Sequence, residues 1–309
     1  MVTKRRMYFH GQVRQEPERS TTVVVTGHRG MIGQEVVRTL EAGGMEVRGL
    51  DLADGQDVRD SGTVREAVSG AHFVVHLAAL DDAVDNPGAI DPRSTGGPAA
   101  VTETNVRGTA VLLREAERSR IDRFVLLSSI DVLGCFTGQG LPAYLPLDDD
   151  HPVDPRGAYA HSKLAAEELC AAFTATTGTP TLCLRPPGVV DADIAAHIRA
   201  VRNEHPESEY LPFWEYGAFI DVRDLATCIY RALVAPRVRG HHRFLVNGPD
   251  ISSSRFTTRE LLGMVVPDVP LLAEAVREGG SYAPLLDTGP VQHLLDWSPR
   301  HYWHRQPEH

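Results

Sequence analysis

The sequence predicts an α/β fold: a doubly wound parallel sheet carrying a smaller C-terminal lobe. Three observations lead there. Residues 23–33, VVVTGHRGMIG, run from three valines and a threonine through a glycine-rich turn into helical apolar spacing. Short apolar runs then alternate with helical stretches, as strand, helix and strand do in a parallel sheet. Past Arg185 that alternation gives way to irregular segments.

The opening turn accounts for its glycines geometrically. Gly27 can take backbone angles closed to other residues, Gly30 lets a pyrophosphate approach the main chain, and Gly33 lets helix and strand pack closely. A phosphate would then sit on the amino end of a helix beginning near Met31, where unpaired N–H groups and the helix dipole favour negative charge. Ile32, Val36, Val37 and Leu40 continue that helix, and Gly43-Gly44 stops it. A second strand, 46–50, ends in Asp51, where a Rossmann-type dinucleotide fold places an acid to accept hydrogen bonds from the adenosine ribose hydroxyls. An acid there favours NAD over NADP. Arg29, inside the turn, keeps NADP open because it can neutralise a 2′-phosphate.

A helix over 61–68 and a strand over 73–77 follow, and Ala78-Ala79 are small enough for the chain to pass under a dinucleotide after Leu77. Residues 81–97 read as a loop, 98–118 as helix, 125–128 as strand, and 138–155 as a long surface loop bordering a pocket. Further helix is predicted from Ala158 to Gly178, with a fifth strand over 181–184. Then come a helix over 193–203, an aromatic loop over 210–216, a strand over 218–222, a helix over 224–234, a strand over 243–246, and short helices over 258–265 and 288–295. The predicted organisation is a flexible tail, 1–20, a dinucleotide-binding unit, 21–185 with 217–250, and a substrate lobe, 186–216 with 251–309.

Composition excludes several classes. The chain has 309 residues, 42% hydrophobic and 23% charged, so it can bury a substantial core. A formal net charge of −10 argues against nucleic acid or an anionic membrane as partner, and no apolar run approaches the ~18 residues that cross a bilayer. Four cysteines without a Cys-x-x-Cys pair suit a reducing, cytoplasmic setting. Small molecules are the expected partners.

Tyr159 and Lys163 fall one helical turn apart on one face. An unperturbed phenol titrates near ~10, and a neighbouring ammonium favours its ionised form, so Tyr159 is expected to exchange a proton with a substrate hydroxyl or carbonyl. Ser129 can hydrogen-bond the same oxygen, and Lys163 can also hold the nicotinamide ribose. Asp131 and Arg185, at the ends of neighbouring strands, complete the candidate substrate contacts. Tyr210, Trp214 and Tyr216 are placed either as an aromatic wall for a sugar or as packing between lobes. Cys135 reads as core. His241-His242 and His301-x-x-His304 lack the clustered acids or cysteines of a metal site, and no metal is expected.

In this order, the glycine turn, the acid after strand two, His76 to Ala79, Asn105 to Thr109, Ser128-Ser129, Tyr159 to Lys163, Leu184-Arg185-Pro186 and Asp221 to Ala226 resemble the extended short-chain dehydrogenase/reductase superfamily, NAD-dependent epimerase/dehydratase type. The resemblance implies Tyr159 as acid/base, Lys163 as its pKa-lowering and ribose-binding partner, and Ser129 as carbonyl polariser. It implies pyrophosphate on Gly27, Gly30, Met31 and Ile32, adenosine ribose on Asp51, adenine on Asp57-Val58, and a structural role for Asn105. It also implies homodimers paired through helices 98–118 and 158–176. Two departures bear on substrate: Gly188 stands where sugar-nucleotide members carry Asn, and Gly280 to Ala283 lacks their arginine. The expected activity is therefore hydride transfer at a hydroxyl or keto carbon of a small polyol, sugar or sugar acid. The alternatives are a nucleotide-sugar 4-epimerase or dehydratase with tightly held NAD, and a dinucleotide sensor without catalysis.

Overall fold

A computed structural model describes residues 21–81, 97–136, 140–209, 216–253, 255–272 and 281–304. The predicted tail, most of the 81–97 loop, and Tyr210 and Trp214 lie outside them. Six strands form one parallel sheet: β1 (Thr22–Thr26), β2 (Glu46–Leu50), β3 (Phe73–His76), β4 (Arg123–Leu127), β5 (Thr181–Arg185) and β8 (His241–Leu245), in the order β2-β1-β3-β4-β5-β8. A separate two-stranded parallel ladder joins β6 (Val189–Val190) to β7 (Ile220–Asp221).

The sheet is covered on both faces, and the alternation of side chains along β1 shows how. Val23 and Val25 point into a core shared with α1 (Met31–Ala42), α7 (Val222–Val234) and the last helix, α9 (Gly289–Leu295), while Val24 points into the opposite core with α2 (Ser61–Val68), α4 (Gly108–Ser119) and α5 (Gly157–Thr177). Strands buried on both sides read as continuous apolar runs, which is why VVV and FVV are visible in the sequence. Because β2 and β3 flank β1 on opposite sides, the chain reverses its winding direction at β1, and a crevice opens at the carboxyl ends there.

Several local expectations change. The 98–118 helix is three pieces, α3 (Gly97–Thr102), a π-helical turn (Glu103–Arg107) and α4. The strand expected over 218–222 shrinks to β7, because Asp221 caps α7 by accepting the backbone N–H of Arg223. The helices α6 (Ala192–Glu204) and α8 (Thr258–Val265) form nearly where expected, the latter with a full capping box between Thr257 and Glu260.

The largest correction concerns the 138–155 segment, described from Gly140 on. It was expected as surface loop, yet Leu145 and Leu147 are fully buried and pair with Leu271 and Leu286, and Asp149 accepts the backbone N–H of Leu245 at 2.6 Å. Alternate residues of this proline-rich stretch enter a third core with Ile130, Leu133, Ile251 and Leu261. No helix among the described residues is long and apolar enough to cross a membrane.

Candidate active site

The crevice at the switch point encloses 380 Å³ and draws its walls from the ends of β1, β2 and β3 and from α3 and the π-helical turn after it. Each glycine of the turn has its own geometric requirement. Gly27 sits at φ 71°, and a Cβ there would stand 2.8 Å from the backbone nitrogen of Ala78. A Cβ on Gly33 would lie 2.2 Å from the carbonyl oxygen of Gly27, so helix and strand pack too closely for any side chain. At Gly30 the protein itself leaves room, the nearest atom being 3.5 Å away, and a side chain would instead enter the crevice. Gly30 also caps α1 without any side-chain bond, leaving the helix N–H groups facing the space a pyrophosphate would take. These features fit a dinucleotide.

At the other end of the crevice Asp51 accepts the backbone N–H groups of Ala53 at 2.9 Å and Arg29 at 3.0 Å. Two lone-pair directions remain for ribose hydroxyls. Asp57 and Val58 line the same end, with Asp57 held below the usual carboxylate range by the Arg59 guanidinium it grips. Leu77, Ala78 and Ala79 form the floor.

A chain of buried polar groups fixes that floor. The Thr109 hydroxyl donates to the Asn105 carbonyl at 2.6 Å, so it accepts from His76 Nε2 at 3.0 Å. His76 Nδ1 then accepts from the Thr26 hydroxyl at 2.7 Å, and Thr26 accepts the N–H of Ala78 at 3.1 Å. Burial pushes the imidazole down to about 3, with the Lys163 ammonium contributing, so His76 stays neutral as this relay requires. Sequence reading placed His76 in a motif without a role; a lone histidine at a strand end carries no local sign of partners on two other elements.

The candidate chemical groups gather at the carboxyl edge of β4. Ser129, two residues past the strand, caps a 3-10 turn, accepting the Asp131 N–H while its hydroxyl donates to Asp131 Oδ2 at 2.8 Å. Tyr159 stands in the first turn of α5, near enough to Ser129 for that hydroxyl to act on its phenol. Lys163, one turn on, is buried, donates to the Leu127 carbonyl at 2.8 Å and lies 5.3 Å from the centre of the Tyr159 ring. Asn105 ties this cluster to the crevice: its amide pairs with both backbone groups of Leu80 and donates to Ser162, whose hydroxyl bonds the Tyr159 carbonyl.

The electrostatics differ from the expectation in one respect. Lys163 was expected to hold the phenol below its usual value. Instead burial, then Asp131 and Asp81, raise it, and the Ser129 hydroxyl alone opposes them. The ammonium lies over the ring face, and burial brings Lys163 itself down to about 8 against the pull of Asp81, Glu167 and Asp131. Replacing Asp131 with Asn is therefore expected to move the alkaline limb of the pH–rate profile to lower pH, because an anion that disfavours the phenolate is gone, while Asp131→Glu leaves the limb in place. An unmoved limb in Asp131→Asn would show that this carboxylate does not act on the phenol.

Arg185 is the second correction. Expected at the substrate, it is 1% exposed, and its guanidinium makes two bonds to Glu167, at 2.8 and 2.7 Å. Its place under α5, within the fold, rules out substrate contact. Burial pushes the Cys135 thiol up to about 12, as for an inert core residue. Tyr216 is buried against Phe136 and donates to the Cys135 carbonyl. His301 and His304 bind Asp224 and Asp250, which also clasp the backbone N–H groups around them; His205 and His161, without visible partners in the sequence, meet Glu207 and the Gly157 carbonyl. Among the described residues no group of three or more histidine, cysteine, aspartate or glutamate side chains is placed to hold a metal ion.

The crevice, its glycine cradle and the Ser129, Tyr159 and Lys163 cluster together define a Rossmann-type nucleotide fold with a serine, tyrosine and lysine site. The chain belongs to the NAD dependent epimerase/dehydratase family, whose model matches residues 23–246. It is 32% identical to a dTDP-glucose 4,6-dehydratase of Streptomyces niveus over 53% of this chain and 52% of that one, so this likeness spans about half of the relative. It is 25% identical to a UDP-glucose 4-epimerase of Rhizobium leguminosarum bv. trifolii over 91% of this chain and 93% of that one. The fold is similar to that of a short-chain dehydrogenase/reductase superfamily protein from Agrobacterium tumefaciens crystallised with NAD, with a TM-score of 0.65 at 22% identity, covering 91% and 93% of the two chains.

Proposed function

We propose that the chain is an NAD(P)-dependent oxidoreductase acting at a hydroxyl or keto carbon of a small, polar, sugar-like substrate. The observation that carries this reading is the convergence of Ser129, Tyr159 and Lys163 at the sheet edge, joined through Asn105 to the crevice wall at Leu80. A nicotinamide dinucleotide bound in the crevice supplies the hydride acceptor or donor. The side chains do the rest. Tyr159, holding its proton, serves as general acid toward a carbonyl and as base in the reverse direction. The Ser129 hydroxyl, whose single proton otherwise goes to Asp131, turns it to the same oxygen. The Lys163 ammonium, fixed on the Leu127 carbonyl, supplies positive charge beside the ring and donors for a ribose hydroxyl.

A second reading is favoured by a specific observation. One relative aligned over most of both chains is a UDP-glucose 4-epimerase, and a serine, tyrosine and lysine site can equally serve chemistry that withdraws and returns one hydride per cycle. Gly188 and the absence of an arginine from Gly280 to Ala283 weigh toward a substrate without a nucleotide diphosphate. The test is spectroscopic: sugar acids, free sugars and nucleotide sugars are offered with NAD and the absorbance of the reduced cofactor is followed. Net reduced cofactor with a sugar or sugar acid supports the dehydrogenase. Conversion of a nucleotide sugar with no net absorbance change, by protein that retains cofactor through purification, replaces it with the epimerase or dehydratase. The reading includes a cytoplasmic setting and homodimers paired through the 98–118 segment, which spans α3 to α4, and the 158–176 segment of α5.

A further inference from the structure

Among the described residues three arginines lie near the adenosine end of the crevice, and each pairs with an acid. The Arg59 guanidinium grips Asp57, and Arg107 pairs with Glu103 one helical turn back. Arg29 is the one that sits in the glycine turn, beside the position of the adenosine ribose. Its backbone N–H reaches Asp51, but its side chain turns the other way: Nε donates to Asp54 Oδ2 at 3.1 Å and Nη2 donates to Oδ1. Asp51 lines the crevice, whereas neither Arg29 nor Asp54 does.

Asp54 is held where it can do this. It lies in the 3-10 turn Leu52–Asp54, capped by Asp51 and closed by Gly55 in the left-handed region. His28 Nε2 stands 3.3 Å from Asp54 Oδ2, and the His28 ring lies so close over β2 that a Cβ on Gly49 would meet three of its atoms at 2.5 Å. Around the ribose end, three guanidinium groups thus pair with Asp54, Asp57 and Glu103, while the Asp51 carboxylate accepts only the backbone N–H groups of Ala53 and Arg29.

We propose that Asp54 is a cofactor-specificity residue: by holding the Arg29 guanidinium beside the crevice, it makes this chain select NAD over NADP. The inference rests on the dinucleotide reading of the crevice. A ribose 2′-phosphate, carrying nearly two negative charges, would meet the Asp51 carboxylate with its nearest guanidinium engaged. Drawing Arg29 away would not remedy this, since it would expose a second carboxylate, Asp54, to the same phosphate. Asp54 acts through Arg29, so it is a positioning residue, and its signature is a ratio of affinities.

The test is titration calorimetry with NAD and with NADP on the full chain, its Asp54→Asn variant, and the double variant Asp54→Asn/Arg29→Ala, with Asp54→Ser as an independent release of the same contact. The native chain is expected to bind NADP at least about tenfold more weakly than NAD. Asp54→Asn and Asp54→Ser are expected to tighten NADP by about tenfold, leave NAD within about twofold, and lose the gain when Arg29 is also removed, since a charge-assisted contact of that size is what a freed guanidinium offers. Equal affinities in the native chain overturn the inference. So does a gain that survives Arg29→Ala, which would trace it to lost repulsion alone. Failure of the native chain to bind either dinucleotide would instead bring down the cofactor reading beneath it.

Discussion

Tyr159→Phe is expected to lower turnover by about a thousandfold while leaving the dinucleotide dissociation constant within about twofold. The phenol oxygen is the atom placed to exchange a proton with substrate, and phenylalanine removes that oxygen alone. The ring remains to pack under the Lys163 ammonium, 5.3 Å from its centre, and Ser162 keeps its bond to the backbone carbonyl of residue 159. Dinucleotide binding rests on other groups: the Gly27 to Gly33 turn, Asp51, and a floor fixed by the Thr26, His76 and Thr109 chain. Steady-state kinetics and binding titration on one preparation separate the two. Turnover within about tenfold of the native chain would remove Tyr159 from the chemistry, since a positioned proton donor typically contributes a hundredfold to ten-thousandfold. Weakened binding with unchanged turnover would make it a cofactor contact. The raised phenol sharpens this expectation. Burial, with Asp131 and Asp81, keeps the phenol protonated at neutral pH, the form that donates to a carbonyl.

The parts of this site legible in the sequence are those whose requirement is local. Gly27, Gly30 and Gly33 declare their roles through spacing alone, because the turn, the crevice and the helix contact all lie within one strand–turn–helix unit. Tyr159 and Lys163 are one helical turn apart, and Ser129 ends an apolar run that could only be a buried strand. What stayed hidden depends on distant partners. Arg185 ends β5 as a substrate-binding arginine would, and nothing in its neighbourhood shows that Glu167, in the preceding helix, has already claimed it. Asp54 looks like one more acid in a polar turn until the fold brings Arg29 and His28 against it. The 138–155 segment misleads differently. Its acids and prolines dominate the composition, while the two residues that matter, Leu145 and Leu147, alternate with them and disappear into the third core.

Glu167 carries the largest expected stability effect, and it joins the fold to the chemistry. Its carboxylate is fully buried and accepts Nε and Nη2 of Arg185 and the Ser128 hydroxyl, with Arg243 Nε 3.4 Å away. Glu167→Ala leaves a guanidinium 1% exposed without its counter-charge, a situation that costs about 3–5 kcal/mol. Denaturant unfolding should show that loss as a lower midpoint at unchanged slope. Replacing both partners, Glu167→Leu with Arg185→Met, should recover most of it, because exchanging a whole buried pair for apolar groups of similar volume is often neutral or stabilising. A single-variant cost below about 1 kcal/mol would mean that water or Arg243 satisfies Arg185 instead. The recovered double variant then isolates the chemical role. Glu167 follows Lys163 by one helical turn and binds Ser128, the residue before Ser129, so it fixes how α5 sits on the end of β4. If that contact sets the approach of Tyr159 to Ser129, a double variant as stable as the native chain should still turn over more slowly, with kcat reduced and KM little changed.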